Sequence, residues 1–275
     1  MPVRGNESTS TGATLALLVV AVISWSSACS KSPPQNPPSP ATTTPAADQT
    51  PHAPAVRAGC RNLPTASDLK EYLRRAPGEG GEAGGFFSGK MEWAAVVNRG
   101  GEICATAVAT DDAGSAWPGS QAIAKAKAYT ANAFSTDLHP MSTARLYTLT
   151  QAGHSLWGLA AANTFDPACL QTPQNSARTD GKVCGGTVAF GGGVPLYKNK
   201  IRIGGLGVSG DTACADHEIA KRIRHLAQLD PDEGPAADDI SYASLQGASI
   251  FTHPLCPNTW LNGKRIGDEP RAGAY

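Results

Sequence analysis

The residues best suited to chemistry are concentrated between Gly185 and Gln228. Gly205, Gly207 and Gly210 spell G-x-G-x-x-G after an apolar run and before a helical one, the local setting of a dinucleotide-binding turn. That chemistry needs a second parallel strand ending in an acidic residue for the ribose. Here Leu229-Asp230-Pro231-Asp232-Glu233-Gly234-Pro235 follows, a proline-broken acidic loop, so the βαβ unit fails. The glycines are then read as positions without side chains, where a second backbone or a flat ligand lies close to the strand. Ser209 stands among them, but a nucleophile elbow would need glycine where Asp211 is.

Histidine is the other candidate donor, as a proton carrier or an iron or zinc ligand. His217 falls in the first turn of the helix after the glycine-rich run, and His154 lies between Gly153 and Trp157; each is read as a structural hydrogen-bonding group or a ligand. His225, among Arg222 and Arg224, reads as a solvated cation near a helix C-terminus. His139 and His253 each precede a proline and read as polar loop surface, and His52 falls in a proline-rich stretch. H-E-x-x-H, C-x-x-C and locally paired carboxylates are missing, so metalloprotease, structural-zinc and thiol-redox chemistry lack their sequence marks. Catalytic groups can still converge from distant segments.

The elements that must position these residues are legible. Strands are expected at Trp93 to Val97, Ile103 to Ala109, Val188 to Phe190, Val194 to Tyr197 and Ile201 to Val208, as β-branched runs cut by turn residues. Helices are expected at Ser67 to Arg75 and at Gln121 to Phe134, where Ile123, Ala126, Ala133 and Phe134 would face the sheet while Lys125 and Lys127 point elsewhere. A third follows Asp211 or Thr212 as cap, with Ala215, Ile219, Ala220, Ile223, Leu226 and Ala227 on one face and the Glu218–Arg222 pair on the other. Between them, 137 to 183 is a long insert in which Ser142 to Thr150 could be helical; loops of that length are more often functional than idle.

Three blocks, KAKAYTANAF at 125 to 134, GGTVAFGGGVPLY from 185 and GGLGVSGDTACADHEIA from 204, resemble the haem-degrading HbpS-like family, also called GlcG-like, over about Ser67 to Leu229. The resemblance implies an α+β, profilin-like domain with a five-stranded antiparallel sheet in the order α-β-β-α-β-β-β-α, here with a long disulfide-bearing insert. It also implies a homo-oligomer whose ligand is haem or another small molecule, with haem breakdown or iron sensing in some members. Haem requires an axial donor, an apolar slot and cations or amides for its propionates. The expected site is a glycine-lined cleft at 191 to 193 and 209 to 217, with Gly192, Gly193, Ser209, Asp211, His217 and His154 as contacts and the two histidines as candidates for the iron. Lys127 and Asn132, which match the family's K-A-x-T-A-N block, could contact a carboxylate or serve helix capping and subunit packing. Some relatives supply a histidine from the first helix; Ser67 to Arg75 has none, so ligation does not transfer from there. A small-ligand binding protein is the preferred reading, with an oxidoreductase or haem-degrading enzyme in the same cleft, or a ligand-free assembly module, as alternatives.

The rest of the chain supplies an address. Residues 1 to 29 carry Arg4, the apolar run Ala13 to Trp25 and Ser26-Ser27-Ala28-Cys29, an export leader too short in its apolar part to span a bilayer. Small residues before Cys29 resemble a lipobox, although Ser26 replaces its usual aliphatic residue; lipidation at Cys29 and plain secretion are the two outcomes. Residues 30 to 56 form a tether, with eight prolines between Lys31 and Val56 and little apolar surface to offset ordering entropy. The domain then occupies 57 to 275, ending in a tail. An extracytoplasmic, lipid-anchored protein of a bacterial periplasm or envelope is expected. Beyond a lipidated Cys29, six cysteines remain, an even set suited to an oxidising compartment. Of their fifteen pairings, Cys60–Cys104, Cys169–Cys184 and Cys214–Cys256 are favoured because they staple the start of the domain, the insert and the tail. With 23 basic and 23 acidic residues the chain is neutral, so nucleic-acid binding lacks its electrostatic driver.

Overall fold

The computed structural model describes residues 58–117, 119–170 and 181–270; the leader, Cys29 and the tether lie outside the described residues. Helix α1 (Ala66–Arg75) begins at a capping box, in which Thr65 Oγ1 accepts the Asp68 amide while the Asp68 carboxylate accepts the Thr65 amide. Strands β1 (Trp93–Asn98) and β2 (Ile103–Val108) form a hairpin, and α2 (Ser120–Phe134) follows. The insert holds two 3-10 turns, Thr143–Leu146 and Thr148–Thr150, and a single helical turn α3 (Leu159–Ala162). Ser142 does not cap a helix there; its hydroxyl donates to the Asp238 carbonyl. Then come β3 (Gly193–Lys198), β4 (Ile201–Ser209) and α4 (Ala213–Leu226), capped by Thr212. The tail contributes β5 (Ser241–Tyr242), α5 (Ala243–Gln246), β6 (Thr252–His253), β7 (Thr259–Leu261) and β8 (Lys264–Gly267). Among the described residues no helix is long and apolar enough to cross a membrane.

Among the described residues the main sheet is antiparallel, in the order β2-β1-β4-β3, with four strands where five were expected. Val188–Phe190 forms no ladder, because the Val188 amide donates to Thr130 Oγ1 on α2 instead of to a strand. Pro195, which lacks an amide donor, is accommodated because β3 is an edge strand. Antiparallel pairing on both sides of β4 removes the dinucleotide reading of its glycines.

The sheet separates two apolar layers. On one face, Ala94, Val96, Leu206 and Val208 pack with Leu69 and Leu73 of α1 and Ile219 and Ile223 of α4. Each fully buried Ile or Leu of this layer contributes about 1.5–3 kcal/mol of transfer free energy. On the other face lies α2, approaching through Ala124 and Ala128 and not through Ala133 or Phe134, which are exposed or half-buried. The helix is thus rotated from its expected orientation, and Lys125 and Lys127 are buried. Disulfides join Cys60 to Cys104, Cys169 to Cys184 and Cys214 to Cys256.

Candidate functional site

Gly205 and Gly207 of β4 face α2, and the space in front of them is filled by its backbone. A Cβ on Gly207 would lie 2.0 Å from the Ala124 carbonyl oxygen. On Gly193 it would lie 2.6 Å from the Lys127 carbonyl oxygen, and on Gly191 2.2 Å from that of Ala213. The glycine-lined surface expected to receive a ligand is therefore a seat for α2, while α4 covers the opposite face. Gly192, Gly193, Ser209, Asp211, His217, Lys127 and Asn132 are all buried, and His154 is exposed in the insert. The expected contact set is not assembled around one cleft.

Two polar networks flank α4. In the first, Asp216 Oδ2 accepts from Lys127 Nζ at 2.5 Å, and Oδ1 accepts the amides of Gly210 and Asp211. Lys127 also donates to the Val208 carbonyl and lies 5.0 Å from the Phe190 ring centroid. Glu92 is buried beside this pair; burial first, then the charges of Asp216 and Asp211, hold its carboxyl well above the ordinary range. Asp211 accepts the amides of Phe86, Phe87, Gly89 and Thr212, fastening the loop before β1 to the start of α4. Asn132 accepts from Arg202 and donates to the Arg99 carbonyl. These residues hold segments together, and burial removes them from any surface ligand.

The second network reaches the surface. His217 Nε2 is 3.3 Å from Asp239 Oδ1, in ion-pair range but not aligned as a hydrogen bond. Lys221 Nζ donates to Asp239 at 2.8 Å, Asn262 at 2.9 Å and Glu218 at 3.1 Å, which uses all three protons. Burial pushes the Asp239 carboxyl up, but His217 and Lys221 outweigh it and hold the group below the carboxylate range. Arg222 donates to the carbonyls of Ala76, Gly81 and Glu82, so the Glu218–Arg222 face is covered by the segment after α1. Burial pushes His253 down to about 4. Its Nε2 accepts the Gly191 amide, so it is a buried structural group and not loop surface.

Along this side of α4 runs a cavity of about 390 Å³. Lys221, Asp239 and Asn262 form its polar end, Leu226, Pro235 and Ala236 its apolar wall, and His225 stands in its lining. The His225 ring is 70 % exposed, with Nδ1 2.7 Å from Asp230 Oδ2. Asp230 is itself held by Arg224, which also makes a two-pronged pair with Asp238. A carboxylate on one imidazole nitrogen orients the ring and raises the basicity of the other, the arrangement used by metal-ligating histidines. Position near a helix C-terminus hid this pairing in the sequence; Asp230 five residues on was its only local mark. A second cavity of about 430 Å³, between α1 and residues 77 to 90, contains no His, Met, Cys or Tyr donor.

Residues 88–224 match the family model described as haem degrading protein HbpS-like, so the resemblance drawn from the sequence holds over that stretch. Among solved structures, the chain is similar to the Klebsiella pneumoniae protein ORFY of the DUF336 family at 23% identity, over 59% of this chain and 87% of that one, with a TM-score of 0.41. It is similar to the PduOC–haem complex at 26% identity, over 61% and 96%, with a TM-score of 0.40. A double mutant of Streptomyces reticuli HbpS matches at 22% identity, over 68% and 98%, with a TM-score of 0.35. No curated protein matches the chain.

Proposed function

We propose that this chain, HbpS-like over residues 88–224, is an exported, envelope-tethered protein that binds haem or a comparable flat ligand in the cavity beside α4. The observation that carries the proposal is His225, oriented by Asp230 in the lining of a 390 Å³ cavity with an apolar wall. The residues present fit haem in two respects. His225 would hold the iron through Nε2, and Leu226, Pro235 and Ala236 would supply an apolar wall. Lys221 and Arg222 are committed to internal acceptors, so neither would be free to hold a propionate. Bound haem would supply an iron centre; the chain supplies the donor, its orientation and partial exclusion of water. The ligand thus moves from the glycine-lined cleft to the outer face of α4.

Titrating the leaderless protein with haemin tests the proposal. A shifted Soret band saturating at one haem per chain at micromolar ligand is expected, and an unshifted band overturns haem as the ligand. The description of the matching family supports a second reading, turnover of the bound haem. In that case the band would decay under a reductant and oxygen with release of iron, and a persistent band would leave binding alone. The tether reading is tested by Cys29→Ser, which should move the protein from the membrane to the soluble fraction. Homo-oligomerisation is tested by sedimentation.

A further inference from the structure

His253 lies against the disulfide that ties the tail to α4. One ligand atom from each of Cys214, Cys256 and His253 falls within 4.8 Å of the other two, and all three residues are buried. We infer that reduction of the Cys214–Cys256 disulfide turns this cluster into a metal site, in which two thiolates and one imidazole take a divalent cation of the zinc class.

The donor set suits that cation: zinc accepts Cys and His ligands in tetrahedral sites and tolerates three protein ligands with water in the fourth position. Among the described residues no other three His, Cys, Asp or Glu side chains are grouped in this way, so the other two disulfides lack a third donor. The imidazole Nδ1 is 2.7 Å from the Pro254 carbonyl oxygen and donates to it, which leaves the lone pair on Nε2. That lone pair accepts the Gly191 amide at 3.2 Å, so a cation would take Nε2 by displacing this amide. Cys214 occupies the first turn of α4, a 14-residue helix whose free amides favour a thiolate. Cys256 Sγ already accepts the Cys214 amide at 3.1 Å.

The chemistry balances with a dithiol as the reductant. It delivers two electrons and two protons, the S–S bond breaks, two S–H bonds form, and the dithiol becomes a disulfide. Binding of the cation then releases both thiol protons as the sulfurs coordinate. The tail would stay tied to α4 in either redox state, through sulfur when oxidised and through the cation when reduced.

Cobalt(II) is the probe. The full-length chain, reduced anaerobically with a phosphine, should bind one equivalent and show a thiolate-to-cobalt charge-transfer band that zinc abolishes. The oxidised chain should show none. The reduced Cys214→Ser/Cys256→Ser variant should lose the band, and His253→Ala should shift the ligand-field absorption. The inference is overturned if the reduced chain shows no band, if the double variant keeps it, or if His253→Ala leaves the spectrum unchanged. Should the variants fail to fold, alkylation of the reduced unmutated chain decides. Zinc should protect Cys214 and Cys256 while Cys60, Cys104, Cys169 and Cys184 react; equal labelling of all six refutes the site.

Discussion

Lys127 Nζ lies 2.5 Å from Asp216 Oδ2, and neither side chain is more than 2 % exposed. The pair joins α2 to α4 at the C-terminal end of β4, with the buried Glu92 carboxyl as its neighbour. A charge in such a place is tolerated only with its partner present. Lys127→Met should therefore destabilise the domain by about 3–5 kcal/mol, read from urea unfolding midpoints. Lys127→Met combined with Asp216→Leu should recover much of that loss. A single variant as stable as the parent would show that the pair neutralises nothing.

Glu92 sets a pH dependence. Its carboxyl ionises near 4.5 in the unfolded chain but well above that in the folded one, chiefly through burial. The folded state thus binds the extra proton, and linkage gives a contribution that is full below the unfolded value and is lost as pH rises through the folded one. Stability should fall with pH above 4.5 across that window. Glu92→Gln should flatten the slope, gaining on the parent as pH rises; parallel curves would contradict the assignment.

Haem affinity should depend on a two-residue unit. His225→Ala should abolish the Soret shift. Asp230→Asn leaves the ring in place but weakens its orienting partner, and should lower affinity by roughly 10–100-fold. Equal titrations of Asp230→Asn and the parent would remove Asp230 from the site.

Gly207 tests the seat of α2. A Cβ there would meet the Ala124 carbonyl at 2.0 Å, against backbone that cannot swing aside. Gly207→Ala should cost about 1–3 kcal/mol or more through forced separation of helix and sheet, visible as a lowered melting temperature. An unchanged value would mean that α2 does not press on β4.

The resemblance carried by blocks at 125 to 134 and from 185 onward led to the family whose model matches residues 88–224 and to nearly the observed element order, because glycines, prolines and β-branched runs are local marks. The fifth strand was misread from the same kind of mark. Val188-Ala189-Phe190 has strand composition, but its Val188 amide goes to Thr130. Alternation cannot reveal that a helix hydroxyl will outcompete a ladder. The site was legible least. His225 carried the pattern of a surface cation, while the more conspicuous His217 went into the interior, as did His253, which had the pattern of loop surface.

By itself, the amino-acid sequence determined where the three main helices and the four sheet strands lie, that the glycine-rich run could not close a dinucleotide fold, and that six cysteines were an even set. Capping, periodicity and chain breaking act over a few residues and need nothing else. Only the tertiary structure decided which of fifteen pairings the cysteines took, that α2 and not a ligand lies on the glycines, and that Lys127 meets a carboxylate 89 residues away. Those outcomes depend on which distant segments exclude water from one another, and the free energy of burying a group belongs to its surroundings rather than to its neighbours in the chain.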